Sequence, residues 1–164
     1  MKQPAGTIST DGNTATITFE RRLPHPVGTV WTAITDPAQR ERWFGPTSLE
    51  PKEGGRIETI AEGPPAPAEV RKSKGIIRVW DPPHTFEYED DSPNTGKTII
   101  RFELTTDGDT TILRLINSGL KIPDARGYAP GWHAFLDRLE ALLDGGQLPG
   151  WGEIYSTMQP EYSM

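Results

Sequence analysis

Cysteine is absent from this 164-residue chain. That excludes disulfides, thiolate nucleophiles and cysteine metal sites. Histidine occurs only three times, at His25, His84 and His133, with no ligand spacing among them. Positive charge is in deficit: 17 Lys and Arg face 23 Asp and Glu, a formal net charge of -6. Such a balance repels phosphate backbones, so nucleic acid and anionic membranes are poor partners. No apolar run approaches the roughly 20 residues of a membrane-spanning helix. The opening "MKQPAGTISTDGN" has no apolar h-region, so the expected location is cytoplasmic. G-x-S-x-G, P-loop and H-E-x-x-H are all missing. The expectation is a protein without a metal or cofactor, with no catalytic residue assigned.

What is present is a chain of suitable length for one domain with a real core. Residues 1–12 are polar and read as a disordered segment, 13–145 as the domain, and 146–164 as a tail packed back on it. "TATITFERRL" alternates as a strand, with Ile17, Phe19 and Leu23 on one face. Val27, Val30, Trp31 and Ile34 then fall at i, i+3, i+4, i+7, the stripe of a short helix. A second helix is signposted by Asp36 as cap, Pro37 at its first position and Gln39 at N3, a capping-box variant. It ends near Phe44, where Gly45 suits a left-handed cap and Pro46 forbids continuation.

Four or five antiparallel strands follow. Ile57 and Thr59 share a face, and "GPPAPA" breaks the run. "EVRKSKGIIRVW" ends at Asp81-Pro82-Pro83. Phe86 and Tyr88 oppose Glu87 and Glu89, while Ile100, Phe102 and Leu104 oppose Arg101 and Glu103. Asp107-Gly108 reads as a two-residue type I′ hairpin turn, setting Leu104 opposite Thr111 and Phe102 opposite Leu113. Glu87 then sits across from Arg101. The last helix reads from Pro130, with Trp132, Phe135, Leu136, Leu139, Leu142 and Leu143 in one stripe and Gly145 ending it.

Only that last helix is long enough to cover the apolar face of a single sheet. A twisted sheet curled around one helix leaves a concavity, and the two short helices would plug its end with Trp31 and Trp43. The candidate ligand-binding residues are therefore Trp31, Trp43, Ile57, Ile77, Phe86, Tyr88, Ile100, Phe102, Leu113, Leu115, Asn117, Tyr128, Trp132, Phe135 and Leu136. Aromatic walls suit a ligand pocket and a solid core alike. Asn117, at the end of an inward face, either orients a ligand oxygen or bonds its own loop at Ser118-Gly119. His133 and Asp137 form an i, i+4 pair, expected at the surface. "EYEDD" lacks EF-hand spacing and reads as a solvated face. Gly54-Gly55 reads as a turn or bulge. Titratable groups almost all avoid the inward positions.

Arg21-Arg22-Leu23, Pro26, Val30-Trp31, Thr35-Asp36-Pro37 and Trp43-Phe44 recur in one order with Gly54-Gly55, Gly75 and Val79-Trp80-Asp81-Pro82-Pro83. Asn117-Ser118-Gly119-Leu120 and Gly131-Trp132 continue the set. It resembles the START-like, or SRPBCC, superfamily, in the bacterial single-domain branch similar to the activator of the heat-shock protein 90 ATPase. The resemblance covers roughly residues 14–145. It implies an α+β helix-grip fold, a curved antiparallel sheet wrapped around the C-terminal helix and enclosing a cavity. Relatives bind lipids, sterols or plant hormones, or act as polyketide cyclases; the co-chaperone branch binds a chaperone and implies a stress-response role. The reading is a carrier or sensor for a small lipophilic ligand. A chaperone-binding interaction module is the first alternative, and a cyclase- or hydrolase-like enzyme using the same pocket the second. The oligomeric state is left open.

Overall fold

The computed structural model describes residues 3–162. Two strands, β1 (Thr7–Asp11) and β2 (Thr14–Leu23), precede two short helices, α1 (Val27–Thr35) and α2 (Pro37–Trp43). Then come β3 (Thr47–Leu49), β4 (Arg56–Ile60) and a single helical turn, α3 (Ala68–Arg71). The strands β5 (Lys72–Asp81), β6 (Thr85–Ser92), β7 (Gly96–Asp107) and β8 (Thr110–Lys121) form a meander. The chain closes with α4 (Ile122–Leu143), α5 (Trp151–Met158) and a 3-10 turn over Gln159–Tyr162. The eight strands make one curved antiparallel sheet in the order β1-β2-β8-β7-β6-β5-β4-β3. This is the helix-grip architecture, with α4 as its longest helix.

The segment expected to be disordered contains β1. It pairs with β2 from Thr7↔Thr18 to Asp11↔Thr14. Its ends are tied as well: the Gly6 N–H donates to the Tyr162 hydroxyl (2.8 Å) and Gln3 Nε2 to the Arg22 carbonyl (2.6 Å). An edge strand buries little, so "TISTD" carries almost no apolar signal, only the half-buried Ile8.

Helix α4 begins at Ile122, not Pro130. Pro123 sits in its first turn, where a missing N–H is harmless. Pro130 lies inside the helix and removes one backbone donor there. Tertiary burial overrides that loss, because Ala125 and Ala129 are wholly buried. Small alanines gave the first turns a weak periodic signal.

The short helices explain themselves through their caps. Asp36 accepts from the Gln39 N–H, as the capping pattern requires. Pro37 has no N–H to offer the Ala33 carbonyl four residues back. The Trp43 indole takes that role, donating to Ala33 O at 2.8 Å. Arg40 Nη1 does the same for the Ile34 carbonyl at 3.0 Å. Both are side-chain solutions to the unpaired carbonyls at a helix end. Trp43 is a buried capping residue, and Trp31 packs edge-on against Trp80 and Phe86.

The β7–β8 hairpin has the turn one position later than expected. Asp107 pairs with Thr110, leaving Gly108-Asp109 as the loop, so Leu104 faces Leu113 and Phe102 faces Leu115. Gly108 has φ +62, while Asp109 is not among the positive-φ residues. Glycine first and positive φ there alone is the type II′ arrangement, not I′. The inward and outward faces survive the correction because the register moves by two. Gly108→Val is expected to destabilise the fold by about 1–3 kcal/mol, read as a lower urea midpoint; an unchanged midpoint would show that the turn tolerates a branched residue.

Asn117-Ser118-Gly119-Leu120, read as a loop, lies within β8. A bulge against β2 between Ala15↔Leu120 and Ile17↔Asn117 breaks the register there. His133 is not at the surface. It is buried, with Nδ1 3.1 Å from the Tyr162 hydroxyl and Nε2 3.7 Å from Asp137. Arg21 shares the inward face of β2 and bonds Asp137 (2.8 Å) and Glu140 (2.6 Å) of α4.

Candidate functional site

Among the strands, α4 packs chiefly on β1, β2 and β8. The other half of the concave face is left to short elements. There Phe44 at the end of α2, the 61–66 loop, α3 and α5 stand with α4 around a cavity of about 450 Å³, within the usual ligand range of roughly 300–1,000 Å³. Its aromatic wall is Phe44, Tyr128, Trp132, Phe135, Trp151 and Tyr155. Phe44 and Phe135 rings lie 4.6 Å apart, and Trp151 stacks on Tyr155 at 4.9 Å.

Five of the fifteen candidates line this space: Ile100, Asn117, Tyr128, Trp132 and Phe135. Trp31, Trp43, Ile57, Ile77, Phe86, Tyr88, Phe102, Leu113, Leu115 and Leu136 do not; they are buried in the core beside it. The reason is the asymmetric seat of α4. Where helices cover the sheet, the inward residues pack solidly. The hollow lies toward β4–β7 and reaches Asn117 on β8. At the plug the lining residue is Phe44, one place after the capping Trp43.

Asn117 does not bond its own loop at Ser118-Gly119. Its Nδ2 donates to the Ile99 carbonyl (3.0 Å) and Thr98 Oγ1 (3.3 Å), and its Oδ1 accepts from the Trp132 indole (3.2 Å). It therefore fixes the orientation of an aromatic wall.

The sequence reading missed the polar wall. Asp90 continues the inward face of Phe86 and Tyr88, so strict alternation along β6 would have found it. Ser73 Oγ donates to Asp90 Oδ1 at 2.6 Å and lies 2.7 Å from Thr59 Oγ1. Ser73 reaches this group because β5 pairs with β4 at Thr59↔Ser73. That long-range register is invisible in the local pattern. Burial raises the Asp90 carboxyl above its ordinary range; the Ser73 hydrogen bond and the Arg40 charge pull the other way. The Tyr128 hydroxyl is also raised by burial, beside Asn94 and Ser92. The sequence reading expects almost no titratable groups at inward positions; Asp90 is one, as is Arg21 on β2.

Behind this wall lies Arg40, wholly buried. Its guanidinium sits 4.7 Å over the Phe44 ring and bonds Thr47 Oγ1 (3.1 Å) and the Ile34 carbonyl (3.0 Å), with the Tyr88 hydroxyl at 3.4 Å. Arg71 of α3 lines the cavity, with Nε on the Ala66 carbonyl (2.7 Å) and Nη1 on the Ala61 carbonyl (2.6 Å) and Glu62 (3.1 Å). It closes the 61–66 loop. Gly63 in that loop has φ +127, and a Cβ there would come within 2.5 Å of Trp151 Cγ. Only glycine lets the loop lie on the α5 tryptophan. Among the described residues no group of three or more His, Asp or Glu could hold a metal ion. None of the helices described is long and apolar enough to cross a membrane.

Several solved structures share the architecture. CalU16 from Micromonospora echinospora is 23% identical with a TM-score of 0.76, covering 97% of this chain and 94% of that one. The protein encoded by gene BPP1335 from Bordetella parapertussis is 23% identical with a TM-score of 0.76, covering 100% and 95%. DynU16, described as a protein in the dynemicin biosynthetic locus, is 22% identical with a TM-score of 0.70, covering 81% of this chain and 48% of that one. At these identities the likeness shows the fold. No curated protein matches the chain. The model of one family, activator of Hsp90 ATPase homolog 1-like protein, matches residues 24–144. The chain belongs to that family.

Proposed function

We propose that this protein binds a small, largely apolar molecule in the cavity between α4, α5 and the β4–β7 half of the sheet. The observation that carries the reading is the hollow of about 450 Å³ with six aromatic walls. A lipophilic molecule entering it would gain about 25 cal/mol per Å² of apolar area removed from water. The fold likeness to DynU16, a protein in a biosynthetic locus, is compatible with handling small molecules. The family's description favours a second reading, a chaperone partner engaged through the outer surface.

Some members of a lipophilic panel are expected to raise the melting temperature. They should also shift tryptophan emission, because Trp132 and Trp151 stand in the wall. A chemically diverse panel with no binder would sink the carrier reading. Stimulation of the heat-shock protein 90 ATPase that survives filling of the cavity would move the function to the surface.

A further inference from the structure

Resting on the cavity reading, we propose that the ligand is a lipophilic amine, its protonated nitrogen received by the Asp90 carboxylate and its apolar body by the aromatic wall.

Among the described residues Asp90 is the acidic side chain lining the cavity, and it is half-buried. The backbone around it is held: Thr98 Oγ1 donates to the Asp90 carbonyl at 3.4 Å. Its carboxyl is aimed by the Ser73–Thr59 pair. A carboxylate set among apolar walls is poorly solvated, and an entering cation relieves that penalty where a neutral molecule does not.

The charged and titratable groups around Asp90 leave this role to it. Arg40, from α2, spends its hydrogen bonds on the neutral Thr47, Ile34 and Tyr88; its charge acts on Asp90 through space and offsets part of the burial penalty. Arg71, from α3, is engaged with two loop carbonyls and Glu62. Asp91 is the neighbour on β6 and points to the opposite, exposed face. Tyr88 and Tyr128, whose hydroxyls are raised by burial, stay neutral. The Trp151 indole N–H is unpartnered but covered by protein, so it reads nothing from the hollow. An anionic ligand would meet the Asp90 charge, while among the described residues the donors of Arg40 and Arg71 are already hydrogen-bonded to other protein groups.

Three probes sharing one ring system test this: naphthylethylamine, naphthylethanol and naphthylacetate, titrated calorimetrically into the purified protein. Near neutral pH the amine is expected to bind about tenfold or more tighter than the alcohol, with the carboxylate weakest. In Asp90→Asn the amine and alcohol should fall within about twofold of each other. The wild-type protein supplies a second readout that needs no variant. As pH falls from about 8 to about 4 the amine stays protonated while Asp90 loses its charge. The amine preference should therefore vanish, at a pH above the ordinary carboxylate range. Equal binding of amine and alcohol, or a preference flat across that range, overturns this inference and leaves the cavity reading standing. Failure of all three to bind overturns this inference, and the cavity reading falls with it only if the chemically diverse panel yields no binder either.

Discussion

Replacing Ile100 by Trp is expected to abolish the ligand response, lowering the affinity of any panel binder by at least about tenfold. Ile100 is buried on β7 and faces the hollow. The added indole volume enters empty space, so the overpacking penalty of a filled core does not apply. The melting temperature without ligand should stay close to that of the wild type. Thermal shift and tryptophan emission with the same panel check this, and a full response in Ile100→Trp would place the ligand elsewhere. Leu115→Trp is the instructive contrast. Leu115 is fully buried and lies outside the cavity wall, pairing with Phe19 and Phe102 on the neighbouring strands. An indole there would overpack the core, costing roughly 1–3 kcal/mol without filling the hole.

Arg40→Ala is expected to lower unfolding stability by about 3 kcal/mol or more. Arg40 is wholly buried yet caps α1 through the Ile34 carbonyl and orders Thr47 at the start of β3. Its removal leaves a buried carbonyl without that donor and empties the space beneath Phe44, whose ring it stacks on. The carbonyl loses its partner and the rings lose their support together, so the loss exceeds that of one hydrogen bond. Urea unfolding measures it; a midpoint within error of the wild type would show that the α1–α2 corner holds without the guanidinium. Arg40→Lys separates charge from shape. A lysine keeps the cation but not the fork that reaches Ile34 and Thr47 together, so most of the loss should persist.

Much of the architecture was legible because it is written in local periodicity. The i, i+3, i+4 stripe of α1, the Asp36-Pro37-Gln39 start of α2 and the alternation in β2, β6 and β7 each depend on residues a few places apart. The Glu87–Arg101 pair followed from alternation and a short hairpin, and it forms at 3.1 Å. The family resemblance rested on an ordered set spread through residues 14–145, and the family match covers 24–144.

The site was less legible, and the failures have definite causes. β1 was missed because an edge strand pays little attention to apolar patterning: its order comes from pairing with β2 and from Tyr162, 156 residues beyond Gly6. Trp43 looked like a wall residue because it is large and apolar. Its placement turns on one donor that Pro37 lacks, which the indole supplies. Sequence alone determined which faces are apolar, which side chains are large, and that one long helix must cover one sheet, because these follow from residue type and spacing. Only the tertiary structure decided where the helix leaves the sheet uncovered. It also decided that Ser73 meets Asp90 and that α5 returns Trp151 to Phe135. Those contacts depend on register and on the lateral seat of α4, which are set by the whole core at once and by no local stretch of chain.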